Sequence, residues 1–138
     1  MKLSELIGAS NSASESIELV YSGNSSQDEY TRISAVDWDE DELYFIPEGW
    51  VERFDDSVSV TNLQDIIKIA NTNSKLKPFI IRVRTSNKWA AEGTVISSNS
   101  LVLKIKYLNE NLFCLIHEDE ASTLTFKGAR NRKFIQSE

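Results

Sequence analysis

The chain has 138 residues, 21 acidic and 15 basic side chains, a net charge of −6 and 41% hydrophobic residues. That length suits one domain or two very small ones, and that apolar content supports a packed core and excludes wholesale disorder. One Cys and one His exclude an intramolecular disulfide framework and a multi-cysteine zinc site.

In chain order, Met1 to Gly8 suits one short helical turn with Leu3, Leu6 and Ile7 on one side. Its acid, Glu5, stands where a secretory leader would be basic, and no apolar run reaches the roughly 18–20 residues of a membrane helix. The expectation is a soluble cytoplasmic protein without a membrane partner. Ala9 to Ser16 is Ser/Ala/Asn-rich and reads as a link. Strands follow at Ile17–Tyr21, Tyr30–Val36 and Leu43–Ile46, with a short half-buried one around Val58 and Val60. The spacing of Leu63, Ile66, Ile67 and Ala70 after a cap at Thr61 or Asn62 predicts the one good helix. From Pro78 the chain reads as a meander: Phe79–Arg84, Trp89–Ile96, Leu101–Leu108, Leu112–His117, Leu124–Lys127 and Phe134–Ile135. Its turns are expected at Thr85-Ser86-Asn87, Ser97-Ser98-Asn99, Asn109-Glu110-Asn111 and Glu118-Asp119-Glu120. The expected core is Leu19, Ile33, Phe45, Ile67, Ile81, Val83, Val95, Leu103, Ile105, Phe113 and Leu115. A weak internal repeat pairs Tyr30–Ile46 with Trp89–Lys104, each preceded by a strand, Ile17–Tyr21 or Phe79–Arg84.

The charge is divided along the chain. Residues 1–70 hold fifteen acids against four bases, and residues 71–138 hold eleven bases against six acids. Two faces attracting each other within one domain would account for this. So would an acidic or basic partner site, or head-to-tail self-association.

Catalytic motifs are missing. Cys114 and His117 are three apart on an expected strand and so point to opposite faces, and there is no Gly-x-Ser-x-Gly elbow. Asp37, Asp39, Asp41 and Glu42 form a carboxylate cluster without the central Gly and twelfth-position Glu of a calcium loop. His117-Glu118-Asp119-Glu120 lacks the second His of a zinc helix. No phosphate-binding Gly-rich loop occurs. The chain is therefore read as not an enzyme, with no metal and no cofactor. Two binding surfaces remain. Trp38, ringed by Asp37, Asp39, Glu40, Asp41 and Glu42, either anchors a protein with a basic surface or folds back onto its own sheet. Arg82, Arg84, Lys88, Trp89, Lys104 and Lys106 would form a basic, base-stacking face for nucleic acid if strand alternation brings them together.

Two resemblances bear on the fold. Tyr21, Arg32 and the Leu43-Tyr44-Phe45 triplet, followed by Val58–Leu63, make residues 17–67 resemble the WYL domain, which implies an SH3-like barrel and a ligand- or nucleic-acid-sensing role. Gly93, and Asn99–Leu103 after a helix, make residues 63–127 resemble the Sm-like plan of a helix and a bent five-stranded sheet. The fold expected is mainly β, with antiparallel strands in one or two small SH3/Sm-like barrels and one short helix near residues 62–71. The divisions are an N-terminal segment (1–16), an acidic β unit (17–61) and a helix plus basic β-meander barrel (62–138). The function expected is non-enzymatic protein binding of the inhibitor, immunity or accessory-subunit type through the acidic aromatic tip. The alternative is a nucleic-acid or nucleotide-binding regulator, and a homo-oligomer fits either.

Overall fold

The computed structural model describes residues 1–10, 17–22, 30–48, 57–89 and 95–126. The chain is mainly β, with two helices. In order the elements are α1 (Leu3–Ala9), β1 (Glu18–Ser22), β2 (Tyr30–Asp39), β3 (Glu42–Pro47), β4 (Val58–Ser59), α2 (Leu63–Thr72), β5 (Ile80–Trp89), β6 (Val95–Asn109) and β7 (Leu112–Phe126).

Local sequence explains both helices. In α2, Leu63, Ile66 and Ala70 share the buried face, the Asn62 side chain accepts from the Asp65 N–H at 3.2 Å, and Asp65 stands in the first turn where the helix dipole favours an acid. In α1, Leu3 and Leu6 are buried and the Glu5 carboxylate accepts from the Lys2 N–H at 2.8 Å. No helix among the described residues is long and apolar enough to cross a membrane.

The seven strands form one mixed sheet in the order β1-β7-β6-β5-β3-β2-β4, and a further pairing joins β1, at one end, to β2, next to the other. The result is ring-like but not a barrel, which corrects the expectation of antiparallel barrels. Two ladders, β1–β7 and β3–β5, are parallel. Parallel neighbours need a long crossover, and for β3 and β5 the segment carrying β4 and α2 supplies it. The expectation of one helix is corrected as well, since Leu3–Ala9 completes a helix of its own.

The internal repeat lies in a different register from the one read in the sequence. Each half runs helix, strand, strand, strand: α1-β1-β2-β3 and α2-β5-β6-β7. The first strand of each half pairs in parallel with the last strand of the other, Glu18↔Leu112 through Tyr21↔Leu115 and Ile80↔Glu42 through Val83↔Phe45. The start of each helix is tied to the residue before the other half's first strand: the Leu3 N–H donates to the Phe79 carbonyl at 2.9 Å, and the Leu63 N–H to the Ile17 carbonyl at 2.8 Å. The β2–β3 hairpin therefore corresponds to β6–β7, not to Trp89–Lys104.

One hydrophobic core fills the ring and draws on both halves: Leu3, Leu6, Leu19, Ile33, Phe45, Leu63, Ile66, Ile81, Val83, Phe113 and Leu115 are all buried in it. Of the expected core residues, Ile67 and Ile105 pack against it half-buried. Leu103 is instead exposed at 52%, because a bulge between Val102 and Lys104 breaks the alternation that would have turned it inward. The Val95 side chain lies outside the described residues.

Of the four polar triplets expected as turns, Asn109-Glu110-Asn111 makes the turn between β6 and β7, and the other three are strand. Thr85-Ser86-Asn87, Ser97-Ser98-Asn99 and Glu118-Asp119-Glu120 fall inside β5, β6 and β7. Ser86 and Asn87 stand opposite Ser98 and Ser97, and Ser98 and Asn99 opposite Thr123 and Ser122, so three polar rows line up across the sheet. Cross-strand pairing of Ser, Thr and Asn stabilises what each triplet alone would break. Phe134–Ile135 lies outside the described residues.

Candidate functional site

The acidic tip is the β2–β3 hairpin, closed by Asp39 opposite Glu42. Alternation along β2 sends Val36 inward and Trp38 to the same face, where Trp38 packs half-buried against the core. Asp37, on the other face, is buried and accepts from the Trp38 N–H at 2.8 Å. Asp39 is half-buried, while Glu40 and Asp41 are exposed at the turn.

Glu40 has φ of +47°, the one non-glycine residue in the left-handed region among the described residues. A two-residue hairpin loop with positive φ at its first position favours glycine there. Glu40→Gly should therefore raise stability by about 1 kcal/mol, read as a higher urea midpoint at unchanged slope.

Two members of the expected basic face, Arg82 and Arg84, are turned to other partners. Arg82 donates from Nε to Oε2 of Glu42 at 2.7 Å, and the Tyr44 hydroxyl donates to Oε1 of the same carboxylate at 2.9 Å. The Arg82 and Glu42 side chains are 17% and 24% exposed. Arg84 is completely buried, with its guanidinium 5.3 Å from the centroid of the Tyr44 ring and its Nε donating to Oδ1 of Asn99 at 3.1 Å. Asn99 passes the chain on, donating from Nδ2 to the Ser97 hydroxyl at 3.2 Å.

Residues read as members of two rival surfaces thus belong to one polar seam. The β3–β5 parallel ladder brings the acidic tip of the first half against the first basic strand of the second. The corresponding positions on the opposite ladder, Val20 and Leu112, are apolar, so the seam occupies one side of the ring only. Lys88 and Trp89 end β5, and their side chains lie outside the described residues.

Part of β6 is open to solvent. Lys104 and Lys106 are exposed, with Leu103 at 52% and Tyr107 at 56%. Tyr107 stacks edge-on against buried Phe113, with ring centroids 4.4 Å apart, and its hydroxyl donates to the Ala9 carbonyl at 3.2 Å. The aromatic is thereby held in place while more than half of it stays exposed. In the repeat Tyr107 takes the position of Trp38: Tyr107 stands opposite Phe113, and Trp38 opposite Leu43. Reading the sequence in the correct repeat register would have singled it out.

His117 lies near the middle of β7. Its Nδ1 lies 2.9 Å from the Glu118 carbonyl, and its ring meets that of Tyr21 at 5.9 Å. Burial pushes the Tyr21 phenol above its ordinary pKa. Cys114 is buried, opposite Lys106 on one side and Val20 on the other. Among the described residues no group of three or more His, Cys, Asp or Glu is placed to hold a metal ion. No family model, curated protein or solved structure matches the chain.

Proposed function

We propose that this chain is a non-enzymatic binding module whose partner is another protein, engaged through the exposed side of β6. The observation that carries this reading is the pair Leu103 and Tyr107, each more than half exposed, on a strand that exposes Lys104 and Lys106 on the face opposite Tyr107. A fixed, exposed aromatic and an exposed aliphatic side chain are usual ingredients of an anchoring surface. The acidic tip offers less, since Trp38 packs against the core and Glu42 is bonded to Arg82 and Tyr44. The nucleic-acid alternative loses Arg84 to the interior and Arg82 to its ion pair. The inhibitor, immunity and accessory-subunit roles all fit a module of this kind.

The test places a photo-crosslinking benzoylphenylalanine at Lys104 of the full chain in nuclease-treated cell extract. The expected result is an adduct with one protein that is lost in Leu103→Asp and kept in a Glu40→Gln, Asp41→Asn variant. An adduct with nucleic acid before nuclease treatment, or capture that is indifferent to Leu103→Asp, would overturn the reading.

A further inference from the structure

The two halves of the ring differ in one respect that bears on binding. In the first half, β2 carries β3 on one edge and β4 on the other, with Ala35 opposite Ser59 and Val36 opposite Val58. In the second half, β6 carries β7 on one edge, and β5 covers the other only as far as Leu101. Beyond the Met1 amino group, which donates to the Val102 carbonyl at 2.7 Å, no strand pairs with that edge among the described residues. The β2 positions that β4 covers, Ala35 and Val36, correspond in the repeat to Lys104 and Ile105, because Val36 stands opposite Phe45 and Ile105 opposite Leu115.

We propose that the open edge of β6 over Leu103–Tyr107 accepts an extended acidic segment of a partner protein as an added antiparallel strand, in the place that β4 holds on β2. This deepens the binding reading given above and rests on it.

Three observations support the proposal. A strand fits this position beside a helix: Val60, between β4 and α2, donates to the Ser34 carbonyl at 3.0 Å, as Met1 before α1 donates to Val102. The unpaired backbone groups of an edge strand supply sequence-independent hydrogen bonds, and alternate side-chain contacts supply selectivity. Here those side chains are Lys104 and Lys106, both exposed. Their charge selects an acidic occupant. It also disfavours a second β6 laid on this edge, since like charges would face one another. The chain's own segment from Lys127 to Glu138 carries four bases and one acid, the wrong sign for this edge.

The probe is a ten-residue peptide alternating Val or Ile with Glu, titrated into the full chain and followed by amide exchange and chemical shifts. The expected result is saturable slowing of exchange at alternate amides across Leu103–Tyr107, the signature of one new ladder. A proline at the centre of the peptide should abolish it, and Lys104→Glu with Lys106→Glu should weaken binding roughly tenfold. The same peptide with Lys in place of Glu should not bind.

Shifts confined to the Leu103 and Tyr107 side chains without amide protection would overturn strand addition and leave the β6 surface reading standing. So would full amide protection with no dependence on peptide charge, as far as the acidic occupant is concerned. Protection of these amides by the protein itself as its concentration rises, relieved by Glu40→Gln with Asp41→Asn, would make a second copy the occupant and overturn the partner proposed. If the crosslink from Lys104 also fails, the binding reading falls with the inference.

Discussion

Arg84→Ala should lower the stability of the folded chain by about 3–5 kcal/mol, an effect expected of buried charged groups rather than of a surface arginine. The side chain is wholly buried on the face of β5 opposite Val83, over the Tyr44 ring and bonded to Asn99. Truncation removes a desolvated cation–π contact worth about 2 kcal/mol and a charge-assisted hydrogen bond of similar size, and it opens a void; these losses are not additive. It also leaves the Asn99 carbonyl without its Arg84 donor. Arg84→Met separates the causes. It restores most of the volume but not the donor, so partial recovery measures packing and the remaining deficit measures the polar network. The measurement is urea unfolding followed by fluorescence, at equal slopes for the three proteins.

The second large effect concerns the two halves together. Phe45→Ala and Leu115→Ala remove corresponding side chains, since both residues lie on the core side of parallel ladders in the same register. The losses expected are about 3–5 kcal/mol for the phenylalanine and about 2–5 kcal/mol for the leucine. Each should shift a single transition that every probe reports alike. Two units that folded independently would instead lose one half and keep the other. The topology argues for one unit, because β1 lies between β7 and β2, and β5 between β3 and β6. Calorimetric and van't Hoff enthalpies that agree in both variants would establish it.

Much of this was legible in the residues. The apolar spacing of Leu63, Ile66 and Ala70 placed α2 within a residue of its ends, and the strands at Tyr30, Leu43 and Leu112 were visible from β-branched and aromatic runs. Trp38 admitted two readings, and the reason one prevailed is instructive. Its acidic neighbours suggested exposure, whereas its parity with Val36 pointed inward, and parity prevailed because the core side of β2 must be apolar throughout. The polar seam could not be read at all. Glu42 and Arg82 are forty residues apart, and only the parallel β3–β5 ladder makes them neighbours. The long strands were hidden by composition, since Ser, Asn and Thr triplets break a strand in isolation and support one when they face each other across three. The register of the repeat was obscured by unequal strand lengths, with β1 spanning five residues and β5 ten.

The exchange of first and last strands between the halves has a consequence for synthesis on the ribosome. Residues Glu18–Tyr21 emerge early but meet their parallel partners only when Leu112–Leu115 have been made. β3 likewise waits for Ile80–Val83, so the nascent first half presents two open strand edges until Val83 has been made and one until Leu115 has been made. Such long-range closure slows folding and lengthens exposure to edge-to-edge aggregation. Chains truncated before residue 112 should therefore be poorly soluble, whereas the 138-residue chain closes both ladders within itself.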